Sequence, residues 1–127
     1  MDKGIKILIL DDSPTDAELV KRHLQQPFPM SEFLTVDNEQ AYTTALEKFK
    51  PDVIISDYSL NQFSGFKAFS LLQERKLPIP FILVTGTLPE EAATTVKTMG
   101  VDYFLLKDDL QTLPSIVKTV LEKTVNE

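Results

Sequence analysis

Short apolar runs recur along the chain, and segments with helical spacing lie between them. The runs cover residues 5–10, 32–36, 52–56, 80–84 and 102–106. Most of them are almost continuously apolar, which is typical of strands that are covered on both faces of a parallel sheet. The run at 32–36 is more polar, as an edge strand can be. The pattern predicts five parallel strands.

The segments between the runs carry apolar residues on one helical face. One such stripe falls at positions i, i+3, i+4 and i+7 and consists of Tyr42, Ala45, Leu46 and Phe49. Ser13 followed by Pro14 is typical of a helix N-cap and first helical position, and Asp16 suits the positive end of that helix. Pro89 opens a later helix, which Gly100 is placed to end.

The alternation of strands and helices predicts the fold class. Helices that cross over between parallel strands cover both faces of the sheet, which makes a three-layer α/β sandwich. Five strands favour the order 2-1-3-4-5, and ligands of such sheets bind outside the carboxyl ends of the strands. A length of 127 residues fits one domain, which we expect to cover residues 1–127.

Polar residues come directly after four of the predicted strands. Asp11 and Asp12 follow the first strand, and Asp57 follows the third. Thr85 and Lys107 follow the fourth and the fifth. Because the carboxyl ends of parallel strands meet at one edge of a sheet, we expect these side chains to converge on one crevice.

The charges of these residues indicate a chemistry. Three carboxylates outweigh one ammonium, and oxygen-only ligands suit a hard divalent cation such as Mg²⁺, which commonly also binds phosphate oxygens. A metal ion, a lysine and a hydroxyl are suitable groups to stabilise a transferring phosphoryl group. Asp57 stands alone on its strand, so it is the best candidate nucleophile, while Asp11 and Asp12 can hold the metal.

Composition excludes other site chemistries and indicates a location. The chain has no cysteine and one histidine, which rules out disulfides, zinc–thiolate sites and histidine metal clusters. Its net charge of −6 argues against direct binding to nucleic acid. The N-terminus has no signal-peptide pattern and no apolar run is long enough to span a bilayer, so we expect a cytoplasmic protein that is not bound to membranes.

The ordered set of motifs resembles the receiver domain of two-component response regulators. The matching features are the acidic pair, "DVIISD" ending in Asp57, Gly65, "FILVTG" and "DYFLLK", and they extend over essentially the whole chain. The resemblance implies that Asp57 accepts a phosphoryl group from a histidine of a sensor kinase or a phosphotransfer protein. It also implies a signalling switch rather than an enzyme, with only autocatalytic phosphoryl transfer and slow self-dephosphorylation.

The resemblance also implies a metal site. Asp12 and Asp57 would bind Mg²⁺ directly, together with the backbone carbonyl of Ser59. Asp11 would act in the outer shell, mainly through water.

Further roles implied by the resemblance concern the switch. Lys107 and Thr85 would contact the phosphoryl oxygens, and Phe104 matches an aromatic position that changes rotamer when Thr85 moves. The surface formed by the fourth predicted helix, the fifth strand and the last helix would then change its affinity for a downstream protein or a fused output domain. The chain would be a monomer or a phosphorylation-dependent dimer, and either a stand-alone receiver or a part of a larger protein.

Three departures from the family pattern matter. Asp108 replaces the usual proline after the lysine, and a cis bond at a non-proline residue costs about 2.5–4 kcal/mol, so we predict a trans Lys107–Asp108 bond and a reshaped loop. Asn61 replaces a frequent proline. The combination of "DYSLNQFSG" with "VTG" and "LLKDDL" is similar to receivers found beside sensor kinases or other signalling modules, rather than to DNA-binding regulators. Ser59 and Thr87 are short, which predicts poor orientation of attacking water and a long-lived acyl phosphate.

Other functions remain open at this point. A pseudo-receiver would be an interaction module that is never phosphorylated, although the intact residue set argues against it. A haloacid-dehalogenase-like phosphatase also uses an aspartate nucleophile, but it needs a second aspartate where this chain has Ser13. A flavodoxin-like FMN protein is disfavoured because the acidic first loop would repel the phosphate of FMN.

Overall fold

The computed structural model describes residues 4–57, 65–85 and 103–126, and it describes only the backbone of Thr85 and residues 123–126. The strands are β1 (Lys6–Leu10), β2 (Glu32–Val36), β3 (Val53–Asp57), β4 (Phe81–Thr85) and β5 (Tyr103–Leu106). The helices are α1 (Pro14–Gln25), α2 (Glu39–Lys48), α3 (Gly65–Glu74), a 3-10 helix (Lys107–Thr112) and α4 (Leu113–Asn126). The helix predicted between Pro89 and Gly100 lies outside the described residues, as do Ser59, Asn61 and Thr87.

The sheet has five parallel strands in the order β2-β1-β3-β4-β5, as predicted. Its two faces are covered by separate clusters of buried side chains. One cluster joins the sheet to α1 and α4, and the other joins it to α2 and α3. The central strands are buried almost throughout, whereas β2 is largely exposed, so the edge position of residues 32–36 is confirmed.

The strand bounds differ from the predicted runs by about one residue, and the difference matters at the carboxyl ends. Asp57 and Thr85 do not follow β3 and β4 but are their last residues. The registers pair Asp57 with Val84 and Thr85 with Leu106. These two residues and Lys107, which comes next after Leu106, therefore lie at the same edge of the sheet.

The start of α1 has the predicted cap. The Ser13 side chain accepts a hydrogen bond from the Asp16 N–H at 3.3 Å, and Pro14 is the first helical residue. The buried face of α1 carries Ala17, Val20 and Leu24. This cap fixes the first turn of α1 directly beyond the end of β1.

The segment after β5 passes straight into the 3-10 helix that begins at Lys107. No cis peptide bond occurs among the described residues, so the predicted trans Lys107–Asp108 bond is confirmed. Within the same residues no helix combines the length and the apolar character needed to cross a membrane.

Candidate functional site

Three aspartates meet at the carboxyl edge of the sheet. Asp11, Asp12 and Asp57 each offer a carboxylate oxygen, and these oxygens lie within 4.8 Å of one another. Asp11 is buried, and the other two are partly buried. A set of convergent carboxylates fits a hard cation that prefers oxygen ligands, so these residues fit Mg²⁺. The convergence predicted from the strand ends is confirmed for these three aspartates.

Two hydrogen bonds hold Asp11 in place at the end of β1. Its backbone N–H donates to the Val36 carbonyl oxygen at 3.0 Å, and its Oδ1 accepts from the Ser13 N–H at 2.9 Å. Burial raises the pKa of this carboxyl from 3.8 to about 6, and the Ser13 hydrogen bond and the positive charge of Lys107 only partly oppose that rise. A positive charge added beside Asp11 would favour its ionised form.

Lys107 faces the same cluster from the start of the 3-10 helix. Its Nζ lies 3.6 Å from Asp11 Oδ2 and 3.7 Å from Asp57 Oδ2, but only 2.6 Å from Asp16 Oδ2. Burial opposes protonation of the amine, but the hydrogen bond to Asp16 and the nearby carboxylates outweigh that effect and raise the pKa of Lys107. Lys107 is therefore a firmly charged cation beside Asp57.

Asp16 is a site residue that the sequence analysis assigned only to the helix N-terminus. The structure brings its carboxylate to the ammonium of Lys107, although the two residues are 91 positions apart in the chain. One signal was present in the sequence. A helix that starts directly after β1 has its first turn at the carboxyl edge of the sheet, so a carboxylate in that turn lies near the strand ends.

The backbone of Asp57 is supported by a buried serine and a close glycine. Ser56 is fully buried, and its Oγ donates to the Asp57 carbonyl oxygen at 2.8 Å. A Cβ atom placed on Gly65 would stand 2.6 Å from that same oxygen. The sequence analysis gave Ser56 no role, although a serine inside the apolar run "DVIISD" was a visible signal.

The structure describes some of the remaining predicted site residues fully and others only in part or not at all. The backbone of Thr85 ends β4 at the correct edge, but its side chain and all of Ser59 lie outside the described set. Phe104 pairs in register with Leu83 and is 41% exposed, so it is not a core residue. Tyr103 is partly buried and packs against the core, as expected of a strand aromatic.

The sequence matches the family described as response regulator receiver domain over residues 7–118. This match covers most of the chain, and the chain belongs to that family. The strand order and the acidic cluster agree with the assignment. Membership makes this chain a receiver domain of two-component signalling, the kind of module that accepts phosphoryl groups.

Curated relatives are considerably longer than this chain. A protein-glutamate methylesterase/protein-glutamine glutaminase of Nitrosospira multiformis is 30% identical over 92 residues, which are 72% of this chain and 26% of the relative. The regulatory protein AtoC of Escherichia coli K12 is 28% identical over 120 residues, covering 92% of this chain and 25% of AtoC. The chain thus spans about a quarter of the length of these relatives.

Solved structures of receiver domains resemble the whole fold. The signal receiver domain of a signal transduction histidine kinase from Syntrophus aciditrophicus has a TM-score of 0.79 and 30% identity, covering 94% of this chain and 91% of that chain. The receiver domain of a DNA-binding response regulator from Colwellia psychrerythraea has a TM-score of 0.83 and 22% identity, covering 93% and 98% respectively. The second likeness supports the fold alone.

Proposed function

We propose that the protein is a phosphorylation-dependent switch, with Asp57 as the phosphoacceptor and Mg²⁺ as the cofactor, formed by one receiver domain over residues 1–127. The carrying observation is the arrangement around Asp57. Carboxylate oxygens of Asp11, Asp12 and Asp57 lie within 4.8 Å of one another, and the Lys107 ammonium lies 3.7 Å from Asp57. This arrangement combines a nucleophile, a cation-binding set and a fixed positive charge in a member of the receiver family.

The proposed reaction is a transfer between two side chains. A carboxylate oxygen of Asp57 attacks the phosphorus of a phosphohistidine, the P–N bond breaks, and the imidazole leaves and takes up a proton. The product is an acyl phosphate on Asp57. Lys107 offsets the negative charge of the transferred oxygens, and the Thr85 hydroxyl contacts one of them. The domain is otherwise not an enzyme, and it loses the phosphoryl group only slowly.

The cation has its own proposed ligands. Asp12 and Asp57 bind Mg²⁺ directly with the backbone carbonyl of Ser59, while Asp11 supports it in the outer shell. When bound, Mg²⁺ neutralises charge on the acidic cluster and on the phosphoryl oxygens. Asp11 suits an outer position because one of its oxygens is already engaged by the Ser13 N–H at 2.9 Å.

The switch itself is a proposed shift between two populations of the same fold. Contact between Thr85 and the phosphoryl group moves the end of β4, and Phe104 on the neighbouring strand changes rotamer. The exposure of Phe104, at 41%, supports this role because a ring that is not enclosed in the core can turn more readily. The surface around β5 and α4 then binds its partner more strongly, which takes a differential binding energy of a few kcal/mol.

The proposed partners are proteins. The donor is a sensor histidine kinase or a phosphotransfer protein, and the recipient of the signal is a downstream protein or a fused output domain, without direct contact to nucleic acid. Likeness to the receiver of a histidine kinase at 30% identity supports a place beside a kinase. The receiver acts as a monomer or a phosphorylation-dependent dimer, and a cytoplasmic location away from membranes stays a prediction.

Intact-mass measurement tests the proposal. The protein is incubated with Mg²⁺ and acetyl phosphate, and we expect a mass increase of one phosphoryl group that is absent in Asp57→Asn. Asp52→Asn is the matched control, because Asp52 precedes the same strand at its opposite end and accepts a hydrogen bond from the Lys6 N–H that an asparagine can keep. The acyl phosphate should persist after removal of the donor.

Each contrary result points to a different function. No adduct with any donor would indicate a pseudo-receiver, whose role is protein interaction. Steady turnover of phosphate esters without a stable adduct would indicate a phosphatase. Rapid loss of the phosphoryl group from the isolated protein would contradict the long lifetime predicted from Ser59 and Thr87.

A further inference from the structure

Among the described residues, the shortest contact of the Lys107 ammonium is with a carboxylate outside the acidic cluster of Asp11, Asp12 and Asp57. Its Nζ donates to Asp16 Oδ2 at 2.6 Å, whereas the distances to Asp11 and Asp57 are 3.6 and 3.7 Å. The first is the length of a strong charge-assisted hydrogen bond, and the other two are ion-pair distances. Asp16 is therefore the closest of the three carboxylates to the Lys107 ammonium.

We propose that Asp16 is a positioning residue that holds Lys107 away from the phosphoryl-accepting oxygen and thereby limits how readily Asp57 becomes phosphorylated. The inference rests on the proposed function of Asp57. A phosphoryl group on Asp57 brings anionic oxygens to the site, and Lys107 contacts them only by weakening or sharing its bond to Asp16. The strength of that bond therefore opposes the phosphorylated state.

Hydrogen bonds to neighbouring residues fix the position of Asp16. The Asp16 N–H donates to Ser13 Oγ at 3.3 Å, and the Ser13 N–H donates to Asp11 Oδ1 at 2.9 Å. This chain of bonds ties the first turn of α1 to the acidic cluster. Lys107 begins the 3-10 helix, which contacts α1 directly. Both partners of the ion pair thus sit on packed elements.

Partial burial also favours an ion pair of measurable strength. The side chains of Lys107 and Asp16 are 21% and 35% exposed. Partial burial reduces the screening that makes fully exposed ion pairs weak. A role of Asp16 at the helix N-terminus alone would explain its place in the first turn of α1, but it would not require the contact with Lys107.

The test compares three variants of the whole chain at saturating Mg²⁺. The measured quantities are the rate of phosphorylation by acetyl phosphate and the dissociation constant of beryllofluoride, a phosphoryl analogue. Asp16→Asn removes the charge, and we expect about fivefold faster phosphorylation and about fivefold tighter binding of the analogue. Asp16→Glu restores the charge and should return both quantities toward those of the unmodified protein.

Glu18→Gln is the matched control for charge and location. Glu18 lies on the same helix, pairs with Arg22 at 3.3 Å and is 51% exposed, so this change removes a carboxylate without touching Lys107. We expect both measured quantities to stay close to those of the unmodified protein. An equal gain in Glu18→Gln and Asp16→Asn would overturn the inference, because it would show a general charge effect.

A spectroscopic readout separates positioning from a purely structural role. With ¹⁵N-labelled lysine, the Nζ signal of Lys107 should shift in Asp16→Asn and also in the unmodified protein when beryllofluoride is added. An unshifted signal in Asp16→Asn, or unchanged or slower phosphorylation, overturns the inference while the proposed function stands. A protein that neither reacts nor binds the analogue overturns the proposed function and this inference together.

Discussion

Gly65 lies so close to Asp57 that a Cβ atom on the glycine would stand 2.6 Å from the Asp57 carbonyl oxygen. The same atom would approach Leu83 Cδ1 to 2.8 Å and Ser56 Oγ to 3.3 Å. Because the Asp57 oxygen belongs to the backbone, no change of side-chain rotamer could relieve this clash. The start of α3 is therefore packed directly against the strand that carries the proposed phosphoacceptor, and only glycine fits there.

Gly65→Ala should displace the end of β3 and impair both stability and reaction. Overpacking of this kind costs about 1–3 kcal/mol, and a small displacement of a reacting group can slow its reaction by about tenfold or more. Urea unfolding and the rate of phosphorylation measure the two effects. Gln73→Ala, an exposed change in the same helix, is the control and should alter neither. An unaffected Gly65→Ala variant would show that the helix can move away without cost.

Asp11 should make the stability of the metal-free protein depend on pH. Because burial raises its pKa from 3.8 to about 6, the unfolded chain gives up this proton at lower pH than the folded one. The stabilising contribution of the protonated form is fully present below the unfolded pKa and is lost as pH rises through the folded pKa.

Asp11→Asn removes this titration and keeps an oxygen that can accept from the Ser13 N–H. In the presence of a chelator, we expect the variant to be more stable than the unmodified protein by about 3 kcal/mol at about pH 7.5, and the difference to vanish below about pH 4. Chemical unfolding over this range measures it. A difference that does not change with pH would rule out Asp11 as its source.

Magnesium should raise the thermal midpoint of unfolding through the acidic cluster. A ligand that binds only the folded state stabilises it by about 2.7 kcal/mol at about a hundred times its dissociation constant. Asp12→Asn should reduce the rise in thermal midpoint that Mg²⁺ produces relative to chelator, because it removes a proposed direct ligand. Asp37→Asn is the control, since Asp37 follows β2 at the same edge but is exposed and outside the cluster. Equal increases in both variants would place the cation elsewhere.

Tyr42 should contribute to stability through a hydrogen bond between α2 and α3. The residue is fully buried, and its hydroxyl donates to the Ala68 carbonyl oxygen at 2.7 Å. Tyr42→Phe keeps the ring and removes that bond, which should lower the free energy of unfolding by about 0.5–1.5 kcal/mol. Tyr103→Phe, a change in a partly buried strand aromatic on the other face of the sheet, is the comparison and should cost less. Equal losses in chemical unfolding would contradict a specific role for the Tyr42 hydroxyl.

Much of the fold was predictable because its signals are local. Apolar runs that are buried on both faces identify the strands. Ser13 and Pro14 mark the start of α1, and the capping hydrogen bond joins Ser13 to Asp16, only three positions away. The convergence of Asp11, Asp12 and Asp57 followed from topology, because parallel strands end at one edge. The trans Lys107–Asp108 bond followed from the chemistry of a single dipeptide.

Other features depend on distances that no local pattern contains. β3 ends at Asp57, one residue later than predicted. The register between neighbouring strands sets where their hydrogen-bonded pairing stops, and this pairing includes Asp57. The need for glycine at position 65 arises from the close packing of α3 on β3. Neither the strand register nor this close packing can be deduced from the spacing of residues in the chain.

The sequence by itself determined that Asp11, Asp12, Asp57 and Lys107 meet at the carboxyl edge of the sheet, because these residues end or follow parallel strands. Only the tertiary structure decided which carboxylate Lys107 binds most closely. Several carboxylates lie within reach of that ammonium, and packing of the 3-10 helix beside α1 selects Asp16 at 2.6 Å. The reason is physical: the energy of a charged hydrogen bond changes steeply over about one ångström, and packing alone sets such distances.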